Sequence, residues 1–329
     1  MLGVTLIELM VTMLLGLLVT GAAIGIFISN KRAYAATESL GRVQEGARVA
    51  FELMARDIRE AAGNPCSRNI PMANVLNPST NWWASWGAGV TGYNGTTAMM
   101  GKSFGTSEKS RVSGTDAIEL RGGAASGVSV VDQTGPSANF KVNTKDHGLV
   151  DGDIILICDF QKAAITQVTN ASASNETVVH NSGGSQIPGN RSNCLNFVTP
   201  LNCNNSPNNP NPPAIYGKNS NVVKLKATRW YVGACQGGRQ CLFQSSFNNP
   251  AGVIATVDNE IIEGVQDMDL AYLVEDGTSY AVAAPSTNWA KVAAVRVTIQ
   301  IEDKDKVGTA GEKVTRTLSH IVTLRNRVE

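Results

Sequence analysis

The sequence predicts an α+β fold. One long N-terminal helix, first apolar and then amphipathic, packs on a C-terminal antiparallel β-rich globular domain with long disulfide-stapled loops. Three observations predict it. Residues 9–28 run for twenty positions without a charged side chain. From Lys31 to Ala62 apolar residues recur at helical spacing with no proline. Beyond residue 115, β-branched runs alternate with Gly, Asn and Asp.

The helix comes first. As an α-helix at about 1.5 Å per residue, twenty residues span roughly 30 Å, the thickness of a bilayer's hydrocarbon core. A cleaved signal peptide has a shorter apolar run, a basic segment before it and a small-residue cleavage site after it. Here the apolar run continues into more helix, so an uncleaved membrane helix over 9–28 is the better reading. Gly21 and Gly25 form a GxxxG pair within it, which allows close approach of a second helix. Beyond it, Leu40, Val43, Ala47, Phe51, Met54, Ile58 and Ala61 form one apolar stripe. Arg42, Glu45, Arg48, Glu52, Arg56, Asp57, Arg59 and Glu60 fall on the other face, with Glu52 and Arg56 at i, i+4. Gly63 and Pro65 mark the stop. One helix over 4–62 follows.

Eight stretches read as strands: 116–123, 127–133, 153–160, 163–169, 222–232, 268–276, 291–303 and 315–326. No helical pattern separates them, so an antiparallel sheet is expected. Stretches 64–113 and 181–221 read as long loops. The first holds Trp82, Trp83 and Trp86, a candidate contact surface because tryptophan is enriched at binding hot spots. A local cluster covering the domain is the alternative.

Six cysteines lie outside the apolar run: Cys66, Cys158, Cys194, Cys203, Cys235 and Cys241. An even number in an exported domain reads as a disulfide framework, and six thiols allow fifteen connectivities. Cys235 and Cys241 bracket the turn-rich QGGRQ, and Cys194 and Cys203 flank one short loop. Cys66 and Cys158 then remain by elimination. A zinc site would favour C-x2-4-C spacing, which does not occur.

Other chemistries find little support. The formal charge is +1, from 28 basic and 27 acidic side chains, which gives no case for a nucleic-acid partner. The three histidines, His147, His180 and His320, form no HExxH pattern. GAGVTG at 87–92 fits GxGxxG but follows no predicted strand. GTTAMMGKS at 95–103 is one residue too long for a P-loop. Asp151 with Asp153, and Asp267 with Asp269, are too few oxygens for calcium. The expectation is no enzyme, no cofactor and no metal.

One motif is specific. GVTLIELM at 3–10, opening a long apolar run, resembles the prepilin processing site of type IV pilins and type II secretion pseudopilins. The resemblance implies cleavage by prepilin peptidase between Gly3 and Val4, methylation of the new N-terminus, and a role for Glu8 in setting assembly register. Met1–Gly3 would be the leader, residues 4–62 the pilin helix and 63–329 a periplasmic β-rich minor-pilin domain. Val4 stands where the family usually has phenylalanine. The short leader lacks the usual basic residues, and Lys31 and Arg32 lie beyond the apolar run, against the positive-inside rule.

Four further segments, 39–66, 151–159, 260–277 and 292–303 with 315–327, resemble the PilW family of minor pilins. That resemblance implies a single-pass inner-membrane protein that joins other minor pilins in a priming or tip complex. Its implied partners are those pilins, the major pilin, prepilin peptidase, the inner-membrane assembly platform, a tip adhesin and membrane lipid. Two alternatives stand beside it: a minor pseudopilin of a type II secretion system, and a membrane-anchored periplasmic adhesin or binding protein.

Overall fold

The computed structural model describes residues 5–327 except 64–65, 67–69, 80, 87–88, 196–202, 205, 210–211, 250–253 and 307–311, and omits the side chains of 124–126. Gly3 and Val4, the expected processing site, and Pro65 lie outside the described residues. The fold is α+β. Helix α1 spans Leu6–Glu60, and a β-rich domain follows. Its strands are β1 (Met72–Asn74), β2 (Val90–Tyr93), β3 (Ala117–Asp132), β4 (Asn139–Val142), β5 (Ile154–Cys158), β6 (Ala163–Gln167), β7 (Asn170–Ala171), β8 (Thr177–Val179), β9 (Asn221–Ala234), β10 (Gln240–Asn248), β11 (Ala255–Glu263), β12 (Val265–Val274), β13 (Ala281–Val282), β14 (Val292–Glu302) and β15 (Thr315–Thr323).

The amphipathic half of α1 buries the expected stripe. Val43, Ala47, Phe51, Met54 and Ile58 are buried, with Ala50 and Ala55 beside them, and Leu40 is half-buried. They pack on Trp230, Leu242, Met268, Leu270, Val295, Val297 and Ile299. Each Val, Leu, Ile, Met or Phe among them taken out of water contributes about 1.5–3 kcal/mol. Asp57, placed by periodicity on the outer face, instead turns inward. It accepts from Trp230 Nε1 at 2.9 Å and Gln244 Nε2 at 2.6 Å, which pins the helix to β9 and β10. Burial pushes its carboxyl above the usual range. Glu52 pairs with Arg48 at 2.9 Å rather than with Arg56, which meets Glu60 at 3.7 Å. All four are exposed, so either pairing is worth only tenths of a kcal/mol.

The helix ends one residue earlier than its glycine suggested. Ala61 is the extended C-cap, and Ala62, not Gly63, takes the left-handed conformation (φ 57°). A non-glycine there costs on the order of 1–2 kcal/mol. It is held because the Ala62 N–H donates to the Arg121 carbonyl of β3 at 2.7 Å. Gly89 makes the space: a Cβ on it would lie 2.6 Å from Ala62 Cα, and its own φ is +78°. Gly89 of the GxGxxG-like stretch is therefore a packing glycine. Gly89→Ala is expected to lower stability by about 2 kcal/mol or more, read as a shift in urea midpoint. An unshifted midpoint would mean that the helix end is not clamped there.

Two long strands organise the rest. β3 joins the two runs predicted at 116–123 and 127–133 into one strand, with a register shift between Ala125 and Val128. Gly127 supplies positive φ at that bulge. β3 pairs antiparallel with β9 along most of its length. The larger sheet runs β1-β6-β5-β9-β3-β4-β8-β7, with β2 added on β3 and β10 then β11 added beside β9. The smaller sheet runs β13-β12-β14-β15. The first half of β3 and the second half of β9 lie against the helix. Their other halves continue past its C-terminus into a second core around Phe140, Ile155, Ile157, Val178 and Tyr216. Against the antiparallel expectation, β1 pairs with β6 in parallel. The stretch 64–113 is not only loop: β1 and β2 form there, each too short to show a period. In 181–221 the described residues hold only isolated bridges before Asn221 opens β9.

All three disulfides follow the expected pairing: Cys66–Cys158, Cys194–Cys203 and Cys235–Cys241. The first ties the chain just past α1 to the end of β5.

Candidate functional site, an uncovered apolar half-helix

The first half of α1 touches no other element among the described residues. Leu6, Ile7, Met10, Leu14, Leu17, Leu18, Ile24 and Phe27 are all exposed. A surface of this length and apolarity exceeds what a soluble monomer shows to water and marks a membrane or helix-packing face. It is long and apolar enough to cross a bilayer, and so could anchor the chain in a membrane. Nothing lies within 4 Å of where a Cβ would stand on Gly16, Gly21 or Gly25. These glycines therefore pack against nothing among the described residues.

The only charge between Thr5 and Lys31 is Glu8, in the first turn. Its carboxylate accepts from the Thr5 backbone N–H at 3.3 Å and from Thr5 Oγ1 at 3.2 Å. The Glu8 N–H donates to Thr5 Oγ1 at 3.3 Å. This is a reciprocal capping box, and it places the negative charge at the positive end of the helix dipole. Thr5 was not singled out in the sequence, although Thr-x-x-Glu before an apolar run is the signature of such a box. The box turns the Glu8 carboxylate back toward the start of the chain and leaves it exposed.

The opposite end of the exposed half is anchored by charge. Arg42 bridges Glu38 at 3.1 Å, Asp303 at 2.9 Å and Asp305 at 3.0 Å. These contacts, with buried Ser39, mark where the helix enters the β-rich domain.

The tryptophan expectation is corrected. Trp82 and Trp83 are 3% and 4% exposed, in a core with Leu156, Ile165 and Val223, and Trp86 packs against that core. The Arg229 guanidinium lies over the Trp82 ring at 4.4 Å. These rings cover the domain and are not a free contact surface. Behind them sits a buried polar group that sequence patterns did not show. Glu119 accepts from Tyr93 at 3.0 Å and pairs with Arg121 and Arg229. Burial and the Glu119 charge raise the Tyr93 phenol well above its usual range. Removing one partner would strand a buried charge, so the cluster reads as a structural lock.

The acids weighed for calcium are turn and strand acids. Asp151 accepts from the Ala171 N–H, while Asp153 pairs with Lys224 and accepts from Val150 N–H and Asn249. Asp267 accepts from the Met268 N–H, and burial, then Asp269, raise its carboxyl. Cys235, Cys241 and Glu260 cluster within 4.8 Å, but both sulfurs are spent in a disulfide and offer no thiolate.

The chain matches no family model and none of the curated proteins. The site defines a class on physical grounds alone: a β-rich domain on a stalk whose free half suits a membrane or a helix bundle.

Proposed function

We propose that the chain is a minor pilin of a type IV pilus, of the PilW family, held in the inner membrane with its β-rich domain in the periplasm. It would join other minor pilins in the priming or tip complex from which the filament grows. One observation carries this reading: an uncovered apolar half-helix that opens on a capped glutamate. Inside a bilayer an unpartnered carboxylate costs a few kcal/mol. Thr5 and the helix dipole lower that cost in the unassembled chain. A neighbouring subunit's N-terminal amine, bared by cleavage before Val4, would then exchange for Thr5 and complete an ion pair. A buried ion pair adds little stability but fixes register.

The helix acts twice in this account. In the membrane its first half is the anchor, and in the filament the same surface packs in a helical bundle. Its second half carries the β-rich domain rigidly, through the buried stripe and the Asp57 pin. The mechanism is assembly by transfer of one surface from lipid to protein. A reading as a membrane-anchored binding protein loses its candidate site, because Trp82 and Trp83 are buried. The pseudopilin reading shares every feature of the helix and would be separated by gene neighbours.

Glu8→Ala tests the proposal. Membrane insertion should persist, since the substitution makes the segment more apolar. Surface piliation scored in a host deleted for the native copy should fall at least tenfold, a loss of about 1.4 kcal/mol or more in the assembly step. Thr5→Val, which removes a hydroxyl partner that the amine replaces on assembly, should leave piliation close to that of the parent. Normal piliation with Glu8→Ala would contradict the proposal.

A further inference from the structure

Two of the three disulfides are locked into apolar packing. Cys158 ends β5 in a cluster with Leu156, Ile165 and Val223, and Cys66 packs against that cluster. Cys235 and Cys241 are 7% and 0% exposed, in a cluster with Tyr231 and Phe243. Cys241 also pairs with Gly233 across the β9–β10 ladder, so the strands keep these two side chains adjacent even when the bond is open. Cys194 and Cys203 differ. Neither lies in a strand, and they close a loop of sequence separation 9. Cys194 is 1% exposed, whereas Cys203 is open to solvent.

Cys194 sits on the fixed side of its bridge. The Arg191 N–H donates to the Val75 carbonyl at 3.0 Å, and the Ala214 N–H donates to the Leu195 carbonyl at 2.6 Å. Between these ties Ser192 is buried, with its Oγ 3.1 Å from Cys194 Sγ and 3.2 Å from Cys203 Sγ. That oxygen already accepts from the Cys194 N–H at 3.1 Å. A disulfide sulfur has no proton to give, so the Ser192 hydroxyl is the donor to the pair. Thiol exchange is favoured where a thiolate reaches one sulfur and the other leaves as a stabilised thiolate. A hydroxyl donating to the leaving sulfur supplies that stabilisation. Apolar surroundings oppose a thiolate on Cys158, Cys235 or Cys241.

We propose that Cys194–Cys203 is a thiol-exchange site, opened by an external dithiol that attacks the exposed Cys203 sulfur. The attacking thiolate bonds to Cys203 Sγ, and the Cys194–Cys203 bond breaks with its electron pair on Cys194 Sγ. Ser192 donates to that thiolate until water protonates it. The second thiol of the dithiol, as thiolate, then attacks the first, and Cys203 leaves as a thiolate. The dithiol is oxidised to its own disulfide and the bridge is reduced to two thiols. Both sheets keep their pairings, because neither cysteine belongs to a strand. The partner this chemistry fits is a thiol–disulfide oxidoreductase presenting a paired dithiol. The inference goes beyond the pilin reading and does not rest on it.

The test is timed reduction of the folded, full-length chain with dithiothreitol, quenched with iodoacetamide and mapped by peptide mass. Cys194 and Cys203 should be alkylated roughly tenfold faster than Cys66, Cys158, Cys235 and Cys241. Glutathione, a monothiol that stalls at the mixed disulfide, should leave its adduct on Cys203 and not on Cys194. Circular dichroism of the opened chain should match that of the parent. Ser192→Ala should slow the opening roughly two- to fivefold, while Ser192→Thr, which keeps the hydroxyl, should stay near the parent rate. Circular dichroism of both variants establishes that they are folded. Opening of another bridge first, alkylation of all six cysteines together, a glutathione adduct on Cys194, or unfolding once this bridge is open would each overturn the proposal. Equal rates for Ser192→Ala and the parent would overturn the role given to Ser192.

Discussion

Replacing Cys66 and Cys158 together by serine is expected to cost the β-rich domain on the order of 4–5 kcal/mol. The bridge closes a loop of sequence separation 92, whereas Cys235–Cys241 closes one of 6. In the chain-entropy account the cost grows with the logarithm of loop length, so the long bridge is worth about twice the short one. Urea unfolding of the two double variants checks this, each compared with the parent chain. Equal losses would contradict the entropic account. The long bridge also has a mechanical role, because it ties the segment leaving α1 to β5, in the lobe beyond the helix end. Its loss should loosen that lobe first, seen as faster amide exchange in β5 and β6 than in β12 and β14.

The second large effect is a pH response centred on His180. The ring is completely buried beside Phe140, at 5.8 Å, and neither ring nitrogen has a described hydrogen-bond partner. Burial lowers its pKa from 6.5 to about 4. In the unfolded chain the ring takes a proton below about 6.5, but the folded chain refuses it until about 4. Between those values the unfolded state binds more protons, so stability falls as pH falls. The full loss is about 3 kcal/mol. Asp57 and Asp116, whose burial raises their carboxyl pKa, act in the opposite sense as pH drops. Comparing the parent with His180→Leu cancels those contributions. At pH 7.5 the two should unfold within about 1 kcal/mol of each other, since the substitution removes an unpaired polar group at similar volume. By pH 4.5 the parent should have lost about 2–3 kcal/mol more than the variant. Parallel pH profiles would show that His180 is not held neutral.

Much of this architecture was legible because long elements repeat their signal. The stripe from Val43 to Ala61 repeats over five turns, and β14 alternates inward and outward residues from Val295 to Glu302. The cysteine pairing was legible because two pairs sit close in sequence and leave one remainder. What was not legible depends on contacts between distant segments. Asp57 lies on the polar side of a helical wheel, yet Trp230 and Gln244 reach across to it. Trp82 and Trp83 look like a surface cluster until Arg229 and the β5–β6 hairpin cover them. β11 was missed because its acids, which suit an exposed edge, disguise a strand. At the candidate site, Glu8 was plain from the sequence. Thr5, its partner, carries no signal of its own beyond the Thr-x-x-Glu spacing of a capping box.

Under the proposed function the uncovered half-helix is a processed assembly surface, with Glu8 placed to meet a neighbour's N-terminal amine. The mass of the N-terminal peptide, taken from membranes of the protein's own host, tests it most directly. The expected chain begins at methylated Val4. A chain that retains Met1, Leu2 and Gly3 carries its amine three residues farther from Glu8, and would contradict that placement.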